Sequence, residues 1–252
     1  KIITGGISAG APARIKAEIR TLVEAGKQSY LIVPEQQTVL AESEMSRELP
    51  TSAPIYFEAT NFTRLANTTF RALGGITGEY CTATKKALIM WRTLTELSPF
   101  LKMTEGKREI SAGLVERAMS AVSDMQILGI DAETLAEFAK HGEVAADARL
   151  LGKISDLSKI YSLYRSLISE KYSDNADDIA VMTKKLEENP DFLLGTEFFI
   201  EGFTSFTEPQ YRLISVLMKR CDVTVYLALP KSMRDAFEYR ELVDTEQKLK
   251  NK

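Results

Sequence analysis

TEFFIEGFTSFTEPQYRLISVL, running from Thr196 to Leu217, decides the fold. It opens with the apolar run Phe198-Phe199-Ile200, short enough for a strand buried on both faces. The run stops at Glu201-Gly202, which sets an acid at the strand's C-terminal end, the edge where open α/β sheets bind ligands. A Ser/Thr-rich turn follows. Glu208-Pro209 then opens a helix with Leu213, Ile214 and Leu217 on one face. One acid at the mouth of a parallel sheet is also what a magnesium-nucleotide motor uses to hold its metal.

The other parts of such a motor are sought at the start of the chain. Lys1 to Thr4 reads as a strand, Gly5-Gly6-Ile7-Ser8-Ala9-Gly10-Ala11-Pro12 as a glycine-rich turn. A helix follows, with Ile15, Ile19, Leu22 and Val23 on its apolar face and Gly26 at its end. Strand, glycine turn and helix form the setting of a phosphate-binding loop, because glycines let backbone N–H groups converge on an anion at the helix's positive end. The motor form is G-x-x-x-x-G-K-[ST]. Gly5 and Gly10 keep its spacing, but Ala11 stands at the Lys position and Pro12 at the Ser/Thr position. Both side chains that neutralise phosphate and hold magnesium are therefore missing, and Pro12 also lacks an N–H. Lys16, on the same helix, lies more than a turn too late to replace the lysine. Gly202 stands where a hydrolytic motor needs a second acid to activate water. A plain tight turn between strand and helix explains the same glycines and stays open.

Between these ends, Ser29 to Val33 reads as a second strand stopped by Pro34, with a helix opening in EQQTVLAESEM. Pro54 to Ala59 reads as a third strand, followed by a helix from Asn61 to Leu73 that Gly74-Gly75 stops. Strands alternating with helices imply a parallel α/β sheet. From about Ala83 to Asn189 only helical periodicity is found. Leu114, Ala118, Val122, Met125 and Leu128 form one stripe. Ile154, Leu157, Ile160, Tyr161, Tyr164, Leu167 and Ile168 form a longer one. Trp91, beside Leu88 and Leu94, is expected in the core of a third helix. Val223 to Ala228 reads as the last strand. The expected organisation is an interrupted α/β domain over residues 1–80 and 190–230, a helical subdomain inserted at 81–189, and a charged tail, helical or loose, over 231–252.

Composition narrows the chemistry. A formal charge of -3 over 252 residues supplies no global attraction for nucleic acid or anionic membrane, so any such binding is local. No apolar run approaches a membrane span, and no metal site is expected. His141 is the single histidine, which leaves no ordinary zinc site, and it reads as a helix C-terminus. Asp174, Asp177 and Asp178 read as a solvated helix start, and no strand leads into an acid followed by E-x-K of the metal-dependent nuclease kind. Two cysteines 140 residues apart suit a reducing cytosol, so a cytoplasmic location is expected. Opening inside a strand-like run and closing on KLKNK, the chain is expected to be a fragment of a longer protein.

GGISAGAPARI, YLIVPEQQTVLAESEM, NFTRLANTTFRALGG, KISDLSKIYSLYRSLISEKYSDNADDI and FFIEGFTSFTEPQYRLISVL, in this order, resemble the N-terminal part of AddB, also called RexB. This is the B-subunit family of the bacterial ATP-dependent helicase/deoxyribonuclease. VPEQ, F-x-R-L-A and GF-x-x-FT-x-x-Q are weak patterns singly and specific in this order and spacing. The resemblance implies a P-loop-like sheet built as the first motor domain of a superfamily 1 helicase, flanked by helices, with a helical subdomain inserted. It also implies a degenerate, catalytically inactive nucleotide site at Gly5, Gly6, Ser8, Gly10, Ala11, Pro12 and Glu201. A partner of the AddA type would drive translocation with ATP and magnesium, while this module grips single-stranded DNA at a double-strand break and reads a Chi-like sequence. The positions matching the family's strand contacts are Gln36, Thr38, Phe62, Arg64 and Phe203. Their chemistry suits that role, since rings stack bases, Arg pairs with phosphate or a base edge, and Gln and Thr bond edges. Where the family can carry an aromatic one turn beyond Arg64, Asn67 stands here. The family's nuclease and 4Fe–4S cluster belong to its C-terminal part, outside this stretch, so no cofactor is expected in the fragment. Two alternatives remain: an active P-loop NTPase with an unconventional loop, and a structural module whose rim is a subunit interface. Phe62 and Phe203 as core, and Gln36 and Thr38 as capping residues, are equally open at this point.

Overall fold

The computed structural model describes residues 1–6, 10–51, 53–75, 79–104, 109–140, 147–169, 172–173 and 178–252. Strand β1 (Ile2–Thr4) leads to α1 (Ala11–Glu24), which starts from the left-handed Gly10 (φ 73°). Strand β2 (Ser29–Ile32) runs into a 3-10 turn over Glu35–Gln37 and then α2 (Thr38–Glu48). The third expected strand is shorter than its apolar run. Ala53–Tyr56 forms a one-turn helix, α3, and only Phe57–Thr60 forms β3. Pro54 has the fixed φ of a helix's first turn and no N–H for a ladder. Helix α4 (Phe62–Leu73) follows.

Next come β4 (Glu79–Tyr80), α5 (Ala83–Leu97), α6 (Ala112–Ile127), α7 (Ala132–Phe138), α8 (Ala148–Ser169) and β5 (Tyr172–Ser173). The chain ends with α9 (Asp178–Glu188), β6 (Glu197–Ile200), α10 (Glu208–Met218), β7 (Asp222–Leu227) and α11 (Arg240–Lys250). Five of the strands form one parallel sheet in the order β1-β7-β6-β2-β3, flanked by helices, so the protein is α/β.

The chain moves outward from β1 to β3 and returns through β6 to β7. Right-handed crossovers then place the helices of the two legs on opposite faces. The side chains obey this. On one face Ile15, Ile19, Leu22 and Val23 of α1 and Met45 of α2 bury Leu31, Val33, Phe199 and Tyr226. On the other, Phe62, Leu65 and Phe70 of α4, Met182 and Leu186 of α9, and Leu213, Ile214 and Leu217 of α10 bury Ile32, Phe198, Ile200, Val223, Val225 and Leu227. Neighbours along each strand alternate between the faces, which is why a continuous apolar run such as Phe198-Phe199-Ile200 is needed in the middle of the sheet.

The described residues divide into two compact units, residues 1–75 with 179–252, and residues 76–178. Met182 and Leu186 of α9 are fully buried in the sheet unit, so this helix, expected within the helical excursion, packs on the sheet instead. The segment 231–252, expected as a tail, is also part of it: Leu242 and Leu249 of α11 enter the same core. Among its described residues the second unit is helical apart from a short parallel pair, β4 with β5. Its core joins Met90 and Leu94 of α5 to Leu114, Ala118, Val122 and Met125 of α6 and Ile160, Tyr161, Tyr164 and Ile168 of α8. Trp91 and Leu88 are not in it; both are exposed. Met90 and Leu94 set the buried face of α5, and one residue's rotation of about 100° carries Trp91 off it. Leu128, the last residue of the α6 stripe, is exposed as well, beyond the end of its helix.

Glu246 ties α11 to the turn before it. Its buried carboxylate accepts from Arg234 and from Lys250 at 2.7 Å. Burial works against the charge, but the bonds from Lys250 and Arg234 outweigh it and hold the carboxyl below the ordinary glutamate range. A group depressed on folding adds stability above its unfolded pKa and loses it as pH falls through the folded value. Glu246→Gln is therefore expected to cost about 2 kcal/mol at pH 7, with the deficit shrinking toward pH 3, read by chemical denaturation across that range.

Candidate functional site

Parallel strands in register end together, so the turns after β1, β7, β6, β2 and β3 line a single rim. The turn after β1 is tied to its neighbour. Gly5 donates its N–H to the carbonyl of Leu227 at 3.3 Å, and the Tyr226 hydroxyl donates to the carbonyls of Gly5 and Gly6, at 3.2 and 3.0 Å. Burial, with the Glu201 charge adding to it, raises the Tyr226 pKa and keeps this donor protonated. Gly10 needs glycine for its left-handed φ, not for space, since a Cβ there would meet nothing within 4 Å. Ala11 and Pro12 are the first two residues of α1, and Ser8 lies outside the described residues.

Glu201 follows β6 and is half-buried. Burial raises its pKa, with Lys16 opposing and Glu44 reinforcing the rise. The Lys16 ammonium bonds Glu44 at 2.9 Å and Glu48 at 3.2 Å on α2. The Glu44 bond is the chief reason its pKa is raised, against burial, so it remains a cation shared by these carboxylates. Next to Glu201, Gly202 turns with φ 84°, and a Cβ there would stand 2.6 Å from Gln37 Oε1 and 2.9 Å from Pro34 Cδ. A side chain there would force these neighbours to shift.

The turns after β2 and β3 are stitched by Thr38 and Asn61. Thr38 is buried; its hydroxyl donates to the Pro34 carbonyl at 3.4 Å and accepts from Asn61 Nδ2 at 3.3 Å. Asn61 Oδ1 in turn caps α4 by accepting the Arg64 N–H at 2.9 Å. Phe62 is also buried, its ring 5.5 Å from Phe203 and 6.2 Å from Phe206. Phe203 lies tilted against Phe206, centroids 5.0 Å apart, and Phe206 meets Tyr211 edge-on at 5.5 Å. Phe203 itself is half-buried, while Gln36 and Arg64 are exposed, and Arg64 bonds Glu42 at 2.5 Å. Asn67 is half-buried on the same helix.

Five predicted contact residues thus occupy three adjoining turns in two layers: Gln36, Arg64 and Phe203 outward, Thr38 and Phe62 inward. Asn61 is legible in the sequence only as a helix start, and Gln37 and Tyr226 are not singled out there. An Asn between a strand and a helix is a legible N-cap signal; the closeness of Gln37 to Gly202 and the bonds of Tyr226 to Gly5 and Gly6 join separate strands' turns and leave no local trace. Thr207 and Gln210, the T-x-x-Q of the family pattern, form a reciprocal capping box that starts α10. His141, Asp174 and Asp177 lie outside the described residues, and Asp178 is buried at the start of α9.

A family model described as "ADDB, N-terminal" matches residues 2–251. The chain is 32% identical to the B subunit of the ATP-dependent helicase/deoxyribonuclease of Acetivibrio thermocellus, over 75% of this chain and 16% of that protein. It is 28% identical to the protein of the same description from Thermoanaerobacter sp., over 93% of this chain and 20% of the relative. For that of Clostridium acetobutylicum the identity is 26%, over 99% and 22%. The chain therefore spans about a fifth of the length of these relatives.

Two outcomes follow from the rim's geometry. Gly202→Ala is expected to destabilise the fold by about 1–3 kcal/mol, measured by denaturant unfolding. For Glu201 the raised pKa means that the folded state holds the proton more readily than the unfolded chain, so this carboxyl costs stability as pH rises through the raised value. Glu201→Gln should then melt higher than the parent chain at pH 8, with the difference closing toward pH 4.

Proposed function

The chain belongs to the AddB N-terminal family, and from that premise we propose that it is the catalytically silent, helicase-like module of a helicase/deoxyribonuclease B subunit. In this reading it serves double-strand break repair and recombination, grips single-stranded DNA along the rim of its sheet, and reads a Chi-like sequence. An AddA-type partner supplies ATP-driven movement with magnesium, and a C-terminal part of the same polypeptide carries the nuclease and the 4Fe–4S cluster.

Phe203 carries the strand-binding reading. Its ring is half open to solvent, backed by Phe62 and Phe206, and stands on the turn beside those that display Gln36 and Arg64. A supported ring offers a π-face to any base, while Arg and Gln add contacts to phosphate and base edges. Thr38 and Phe62 act from beneath as positioning residues.

The silent reading is supported by three local facts. Ala11 and Pro12 offer phosphate and magnesium neither an amine nor a hydroxyl. Lys16, the remaining candidate lysine, is already bonded to Glu44 and Glu48. Gly202 supplies no second acid beside Glu201, and its left-handed φ and closeness to Pro34 would strain one there. These residues do not fit a magnesium nucleotide poised for hydrolysis.

In the assembled complex, Glu201→Ala is expected to leave ATP turnover unchanged; a loss of turnover would make this module a working motor. Phe203→Ala and Arg64→Ala should each weaken binding of a labelled single strand by about tenfold and blunt the response to Chi, with the subunits still co-eluting on gel filtration. Dissociation of the complex instead would assign the rim to the subunit interface.

A further inference from the structure

The turn after β7 reaches the same rim and displays an aromatic ring that the strand-binding path above does not use. Phe237 is 76% exposed. The Arg240 guanidinium lies over it, 5.2 Å from the ring centroid, and Arg240 and Lys231 are themselves exposed. Such a ring on a loose tail would mean little, but this turn is built. Leu229 is fully buried, and Pro230 sits 3.7 Å from where a Cβ of Gly6 would stand. Met233, Ala236 and Tyr239 donate their N–H groups to Pro230, Met233 and Ala236 at 3.0, 3.1 and 3.1 Å. Arg234 is bonded to the buried Glu246, and Tyr239 packs on the core. Between two anchored ends the ring is held out from this chain's own core.

The turn is also joined to the one that carries Phe203. Ser205 donates to Glu241 at 2.6 Å, and Thr245 donates to the Thr204 carbonyl at 2.9 Å. Glu241 follows Arg240 directly, so the half-buried ring of Phe203 and the exposed ring of Phe237 stand on adjoining turns connected through Ser205 and Glu241.

We infer that Phe237 and Arg240 form a second stacking platform that extends the single-stranded nucleic-acid path beyond Phe203, toward the end of β7. This rests on the strand-binding reading of the rim. A base stacks on the face of the Phe237 ring that Arg240 leaves open, while Arg240 and the exposed Lys231 of the same turn supply positive charge for the phosphates. The contact is tolerant of sequence because every base has a π-face, and it lengthens the grip without adding base-edge readout.

The test uses the full-length protein in its two-subunit complex and the anisotropy of a fluorescein-labelled oligothymidylate. Phe237→Ala is expected to weaken binding about tenfold with an unchanged salt slope, and Phe237→Trp to retain it. Arg240→Ala should make the salt slope shallower by about one. If Phe237→Ala binds as the parent does while Phe203→Ala is weakened, the rim reading stands and this platform is wrong. If neither substitution weakens binding, both are wrong. If Phe237→Ala separates the subunits on gel filtration, the ring is a protein contact and the inference is overturned.

Discussion

Where β6 leaves the sheet its backbone passes so close to Pro34 and the Gln37 side chain that a Cβ at Gly202 would force its neighbours to shift. That approach is possible because β6 and β2 are parallel neighbours in register, Ile200 opposite Ile32. From it follows the arrangement of the rim. Glu201 feels the charges of Lys16 on α1 and Glu44 on α2, Phe203 meets Phe62 of α4, and Gly202 between them lies against Pro34 and Gln37 of the turn that carries Gln36. A family pattern containing E-G-F at this point is a statement about space as much as about chemistry.

The rim also shows how a surface ring is made rigid. Phe62 and Phe206 are buried under Phe203, and Thr38, Asn61 and the start of α4 are joined by hydrogen bonds that close the gap between two strand ends. Thr38 and Phe62 therefore serve the surface from beneath it. A ring whose rotamer is set by two neighbours loses little freedom when a ligand stacks on it, which favours binding over a mobile side chain of the same chemistry.

At the opposite end of the same rim, charge is balanced within the protein. Lys16 is shared by Glu44 and Glu48, the carbonyls of Gly5 and Gly6 are held by Tyr226, and burial discourages Glu201 from ionising. Here α1 is joined to α2, and the glycine turn to β7, by bonds the chain makes with itself.

The apolar run Phe198-Phe199-Ile200, the glycines around α1 and the stripe of Ile15, Ile19 and Leu22 were enough to determine a parallel α/β sheet, because burial on two faces and helical spacing are local properties of the chain. Helical periodicity likewise identified the second unit. Its stripe choice failed at Trp91, since α5 carries apolar residues on more than one side and only its neighbours select which is covered. The extent of β3 turned on Pro54, and the boundary at α9 on where Met182 and Leu186 found a core. Which rim residues face outward was a tertiary matter too: Thr38 and Gln36 are two positions apart and chemically alike, yet a bond from Asn61, on another strand's turn, draws one inside. The packed helix α11 and the ring of Phe237 belong to the same class, because a charged sequence with few apolar residues becomes ordered only where a finished core offers Leu242 and Leu249 a place to bury.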